Sequence, residues 1–150
     1  MPACEIVPYL SVKNADMAID FYSKVFGVEP SLVLRMPDGR LMHCEYRIEA
    51  SRFFLSEELP EHGGTPSPAT LGATTVAIHL YVDDCDAMVQ AMEDNGSKIL
   101  MAATDMFWGE RFARVRDPFG HEWGIATQTH EMTAADIQAA AEKMFADMRE

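Results

Sequence analysis

The chain has 150 residues, 48% of them hydrophobic and 24% charged, with a formal net charge of -12. No run of about 18 apolar residues is present to form a membrane span, and 24 acids against 12 bases oppose the phosphate neutralisation that drives nucleic-acid binding. Neither a membrane nor a nucleic acid is therefore expected as a partner. Glu5 stands where a secretory signal would carry Lys or Arg, so the expected location is the cytoplasm, and Cys4, Cys44 and Cys85 are too scattered for a zinc knuckle or a disulfide framework.

The first element is a strand in "EIVPYLSV", with Ile6, Pro8, Leu10 and Val12 on one face and Val7, Tyr9 and Ser11 on the other. Pro8 cannot donate to a ladder, which puts this strand at an edge or starts it late. "NADMAIDFYSKVFG" predicts a helix of about three turns, capped by Asn14 or Asp16 and closed by Gly27. "PSLVLRM", "LMHCEYRIEA" and "SRFFLSEE" read as three successive strands, the first two joined at the turn "PDGR". On the middle one, Cys44, Tyr46 and Ile48 form the apolar face, and His43, Glu45 and Arg47 the opposite one.

"LPEHGGTPSPATLGATT" has no period of either kind and reads as a linker or mobile loop over about 59–74. Then the pattern restarts. "VAIHLYVDDCDAMVQAMEDNGSKIL" is a strand, an Asp-rich cap and an amphipathic helix, offset from the first copy by about 70 residues, so that Val12 falls on Val82 and Asp16 on Asp86. A short strand or loop to Thr104, a bend at "FWGE", the strand "RFARVRD", the turn "DPFGH" and the strand "EWGIAT" complete it. The tail is a helix over about 133–148, capped by Thr133 with Asp136 three residues on, its apolar side being Ile137, Ala140, Ala141, Met144 and Met148. The expected architecture is α+β: two βαβββ modules, about 5–58 and 75–128, in a single domain with a C-terminal helix.

A duplicated βαβββ unit with "AIDFYSKVFG" after its first strand and "DPFGHEW" before its last resembles the glyoxalase/bleomycin resistance/dioxygenase superfamily, also called vicinal oxygen chelate. "PYLSVKNADMAIDFYSKVFG" and "FWGERFARVRDPFGHEWGIAT" are similar to its PhnB-like branch. The resemblance implies curled mixed sheets around an open cavity, a homodimer, and, in the metalloenzymes, a divalent metal that chelates two neighbouring substrate oxygens. Carried onto this chain, the ligand positions fall on Val7, Phe54, Ala77 and Gly124, none of which has a metal donor. No cofactor is therefore expected.

Strand side chains repeat every two residues, so Tyr9, His79 and Glu122 share faces with those empty positions. The candidates for acid/base catalysis are His79, Glu122 and Glu45, with Tyr9, His43, Phe54, Trp108 and Arg111 expected to contact ligand. A displaced divalent metal on His79, Glu122 and either His43 or Glu45 is the alternative. His79 also reads as an ordinary half-buried strand residue, and Glu122 as an ion-pair partner of Arg111 or Arg47. Arg111 offers a fork for a carboxylate or phosphate, or neutralises Glu45 or Glu122. Trp108 walls a pocket or plugs the core, and His121 is expected in a turn or at the surface.

Three functions follow as expectations. The leading one is a small-molecule pocket lacking the usual metal-ligand set, in a ligand-binding protein or a metal-free acid/base enzyme. The others are a metal-dependent lyase, isomerase or dioxygenase with a displaced site, and a drug-sequestering resistance protein whose acidity suits a cationic ligand.

Overall fold

In the computed structural model, which describes residues 3–149, the chain divides into two compact units. The first runs to Val76 and includes Asp117–His121; the second comprises Ala77–Arg116 and the residues from Glu122 onward. In the first, β1 (Tyr9–Val12), α1 (Ala15–Phe26), β2 (Leu32–Arg35), β3 (Leu41–Ile48) and β4 (Ser51–Glu57) build a four-stranded sheet of order β1-β4-β3-β2. In the second, β5 (Ala77–Tyr81), α3 (Cys85–Asp94), β6 (Lys98–Asp105), β7 (Glu110–Arg116) and β8 (Glu122–Gln128) give the order β5-β8-β7-β6. Each sheet is mixed: β1 pairs parallel with β4, β5 pairs parallel with β8, and the other pairings are antiparallel. The duplication read from the sequence is thus a duplication of topology, and the fold is α+β with a C-terminal helix, α4 (Ala134–Asp147).

Local chemistry sets these boundaries. Ladder pairing in β1 begins at Tyr9 because Pro8 has no N–H, although its carbonyl still accepts from Phe54 N at 2.8 Å. Asn14 caps α1 by accepting from Met17 N, and Gly27, at φ 65°, ends it in the left-handed conformation. The inward face of α1, with Ala15, Ala18, Phe21, Tyr22 and Val25, is buried, as are Cys44, Tyr46, Phe53 and Leu55 of β3 and β4. Tyr22 sits at the centre, its ring 5.3 Å from Phe53 and 5.8 Å from Phe119. Its hydroxyl donates to Asp117 Oδ2 at 2.5 Å, while Asp117 Oδ1 accepts from the backbones of Phe119 and His121.

That carboxylate folds the "DPFGH" turn inward, so His121 is buried rather than at the surface. Its Nε2 lies 2.8 Å from the Ser11 carbonyl, an acceptor to which it donates. In the second unit α3 packs on β6, β7 and β8, where Val89, Met92, Val115, Trp123 and Ile125 are buried.

Two stretches carry more structure than their sequence announces. Residues 59–74 contain a 3₁₀ turn, Pro60–His62, and the short helix α2 (Pro68–Leu71), capped by the buried Ser67. β6 runs the full eight residues to Asp105 with two register shifts against β7, and its side chains alternate in exposure although Ile99, Leu100, Met101, Ala102 and Ala103 are all apolar, so the sequence shows no alternation there. The capping box of Thr133 and Asp136 forms as expected, yet no residue of α4 is buried. Among the described residues no helix is long and apolar enough to cross a membrane.

Candidate functional site

On the face of the first sheet opposite α1, register places Tyr9 beside Phe54 and Phe54 beside Glu45. Alternation in β3 buries Cys44 and Tyr46 and leaves His43 and Glu45 half-buried on this face. The Tyr9 hydroxyl lies 2.6 Å from His43 Nδ1, and His43 Nε2 lies 3.1 Å from Glu45 Oε1. A carboxylate oxygen only accepts, so Nε2 is the donor to Glu45, which leaves Nδ1 to accept the hydrogen of the Tyr9 hydroxyl. Phe54 fixes both rings, at 5.5 Å from Tyr9 and 4.9 Å from His43, and the Arg52 guanidinium lies 5.3 Å from its ring centre. Partial burial raises the Tyr9 phenol above its ordinary value, opposed by a hydrogen bond from Ser56. At neutral pH Tyr9 is therefore a protonated donor whose proton points at an imidazole.

Tyr9 also lines a cavity of about 500 Å³. Ser11, Ser56 and Glu57 line it from the strands, Met36 and Met42 add thioethers, and the segment Leu59–Thr65 supplies the remaining lining. Gly64 lies so close to Leu59 that a Cβ would stand 2.9 Å from the Leu59 carbonyl oxygen. Ser11 Oγ donates to the Thr65 carbonyl at 2.6 Å, tying the segment to β1. Glu57, the carboxylate of the lining, accepts from Ala15 N and Leu41 N at 3.3 Å each.

The second sheet presents different chemistry. His79 is exposed, its ring 5.8 Å from Phe112 at an interplanar angle of 14° and 4.7 Å from Tyr81. Gly124 makes this possible, since a Cβ there would meet His79 Nδ1 at 2.9 Å. Glu122 is held by Arg114 at 2.7 Å and Arg116 at 2.9 Å, and hydrogen bonding from Arg116 and then Arg114 keeps its carboxyl below the usual range. Glu122 is thus a clamped carboxylate, with partners other than the expected Arg111 or Arg47. Arg111 grips Asp86 and Asp105 at 2.6 and 3.2 Å, on α3 and β6, and neutralises neither Glu45 nor Glu122. Trp108 is half-buried rather than a core plug, and its indole donates to Glu110 at 3.0 Å.

Of the residues expected from sequence, Tyr9, His43, Glu45 and Phe54 come together in the first unit; His79, Glu122, Trp108 and Arg111 belong to the second, where Arg111 is turned to α3. Sequence reading missed Ser56, Arg114 and the Leu59–Thr65 wall. Ser56 was within reach, two residues from Phe54 and so on the same face; the wall was not, because a Gly- and Pro-rich stretch carries no period.

The metal positions implied by the family resemblance do not fit a metal. Val7, Phe54, Ala77 and Gly124 offer no donor, and among the described residues no three His, Cys, Asp or Glu side chains are grouped so as to hold an ion. Of the displaced set, His43 and Glu45 are bound to each other and Glu122 to two arginines.

Compared with known proteins, the model of the Glyoxalase/Bleomycin resistance protein/Dioxygenase superfamily matches residues 5–125. An uncharacterised protein of Mycobacterium tuberculosis (strain ATCC 25618 / H37Rv) is 39% identical over 135 residues, 89% of this chain and 79% of its own. Protein PA1353 from Pseudomonas aeruginosa has a TM-score of 0.68 at 22% identity, over 84% of this chain and 98% of its own. A PhnB protein from Bacillus cereus, described as a putative 3-demethylubiquinone-9 3-methyltransferase, has a TM-score of 0.63 at 18% identity, over 83% of this chain and 99% of its own. At such identities the two structures share the fold.

Proposed function

The chain belongs to the glyoxalase/bleomycin resistance protein/dioxygenase superfamily, and from that premise we propose that it is a PhnB-like member that binds a small organic molecule in the cavity of its first unit and handles protons there without a metal. The observation that carries this reading is the chain of contacts from Tyr9 through His43 to Glu45, which begins at a residue lining the cavity. A ligand group that hydrogen-bonds Tyr9 meets a phenol whose own proton is shared with His43. If that proton moves to Nδ1, Glu45 stabilises the imidazolium and the Ser56 hydroxyl stabilises the phenolate oxygen, so Tyr9 takes a proton from the ligand at no point as a bare anion. Met36, Met42 and Leu59 suit an apolar body on the ligand. The same reading takes the protein to be cytoplasmic and a homodimer.

The test is an amide-shift titration with a library of neutral aromatic and aliphatic fragments, together with metal analysis of protein purified without added metal. Saturable shifts at Ser56 and His62–Thr65, weakened in Tyr9→Phe, with substoichiometric metal, are expected. Stoichiometric nickel, zinc, manganese or iron that is lost on His43→Ala or His79→Ala would make the protein a metalloenzyme with a displaced site instead. Selective saturation by cationic glycopeptides would make it a sequestering protein.

A further inference from the structure

α4 lies beyond the family match, which ends at residue 125, and none of its residues is buried. It is nonetheless firmly started by the capping box of Thr133 and Asp136, and it runs for 14 residues, a length of about 21 Å. Ile137, Ala140, Ala141 and Met144 are half-buried along one side, while Phe145 and Met148 stand open to water. Between the helix and the tip of the β6–β7 hairpin runs a groove of about 470 Å³, lined by Phe107, Ala140, Met144 and Met148, with Lys143 and Asp147 as its charged members. An amphipathic helix that keeps thioethers and an aromatic ring in water has the composition of a contact face.

The order of residues along α4 says which partner fits. Two copies of one helix related by a two-fold axis run antiparallel, so each residue meets the one equally far on the other side of the axis. With the axis level with Phe145, Lys143 of each copy stands opposite the partner's Asp147, and symmetry forms both ion pairs at once. Phe145 then lies beside its own counterpart, and the small Ala141 comes within one residue of the partner's Met148, an alternation of small and large side chains that lets helices interlock. A parallel pairing would set lysine on lysine and aspartate on aspartate. Within one helix the two charges match poorly, since the base precedes the acid. No basic residue stands in the last turn of α4, so Asp147 there faces the negative end of its own helix dipole, and the partner's Lys143 offsets it.

We propose that α4 docks antiparallel on α4 of a second copy, closing the groove beside Phe107, with Phe145 at the axis and two Lys143–Asp147 ion pairs between the copies. The proposal rests on the homodimer of the reading above and assigns that dimer its contact face. Two helices of about 21 Å cover less than a standard interface of about 1,600 Å², so the dimer is expected to dissociate on dilution, with a Kd on the order of micromolar.

Sedimentation equilibrium of the full chain, from about 1 to about 200 micromolar protein, measures association in the wild type, in Lys143→Asp, in Asp147→Lys and in the double exchange. The expected result is a wild-type dimer weakened about tenfold in each single variant, where two like-charge contacts replace two ion pairs, and restored to within about threefold in the double exchange. The single variants change the net charge in opposite directions, so weakening in both does not come from overall repulsion. A dimer equally strong in both single variants overturns this interface and leaves the homodimer to another face. Weakening that the double exchange fails to reverse overturns the antiparallel register. A wild type that stays monomeric throughout overturns the interface and the homodimer together. Lys143 and Asp147 are both exposed, and the wild-type series needs no variant to fold.

Discussion

At the scale of single residues, Gly124 has the sharpest role. The family resemblance puts a metal ligand there, and the structure puts the His79 and Phe112 rings against it, with room for no side chain. Gly124→Ala is expected to swing His79 off Phe112, lowering stability by about 1–2 kcal/mol and shifting the His79 ring resonances; thermal melts and NMR check both. Glu122 gives a pH test. Its carboxyl is held below the ordinary range by Arg116 and Arg114, so its folded-state value lies below its unfolded one. Its stabilisation is present above about pH 4.3 and is lost as pH falls through the folded value. The stability of Glu122→Gln should therefore fall less steeply than wild type below about pH 4.3, as read from denaturant midpoints across pH. The faces of His43 and Glu45 were legible in the alternation of "LMHCEYRI". The partners of Arg111 were not, because Asp86 comes from α3, 25 residues away in the chain, and only packing brings it near.

At the scale of elements, capping residues wrote the boundaries plainly. Gly27 and Thr133 stand where the sequence places them, and of the two caps it offered for α1, Asn14 and Asp16, the structure uses Asn14; a cap acts through backbone groups three or four residues away and needs no tertiary partner. Asn14→Ala leaves Met17 N without its acceptor and is expected to lower stability by about 1 kcal/mol, measured by urea denaturation. α1 also approaches the cavity, since Glu57 of the lining accepts from Ala15 N. Elements without period were the ones misread. Leu59–Thr65 looks like a linker, yet it is held by backbone bonds from His62 and Gly64 to the Leu59 carbonyl and by Ser11 Oγ on the Thr65 carbonyl. The bonds to Leu59 are local, but the one that ties the segment to β1 spans 54 residues and has no local signature.

At the scale of the whole molecule, the repeat fixes two sheets of one topology and leaves their exposed faces free to diverge. One carries Tyr9, His43 and Glu45 beside a cavity; at corresponding register the other carries His79, Phe112 and Arg114. α4 buries no residue, and Phe145 and Met148 are 55% and 74% exposed, which leaves the Ala and Met face of this helix open for the homodimer we propose. Light scattering at tens of micromolar protein should give twice the chain mass of 16.7 kDa, and a monomer mass would remove the dimer from the proposal. By itself the sequence determined the two modules, their element order, the helix caps and the residues on each strand face, since periodicity and capping are local properties of the chain. The tertiary structure decided which polar side chains meet: His43 with Tyr9 and Glu45, Glu122 with two arginines, His121 with a buried carbonyl. Those pairings depend on strand register and turn geometry across distant segments, and no local pattern encodes them.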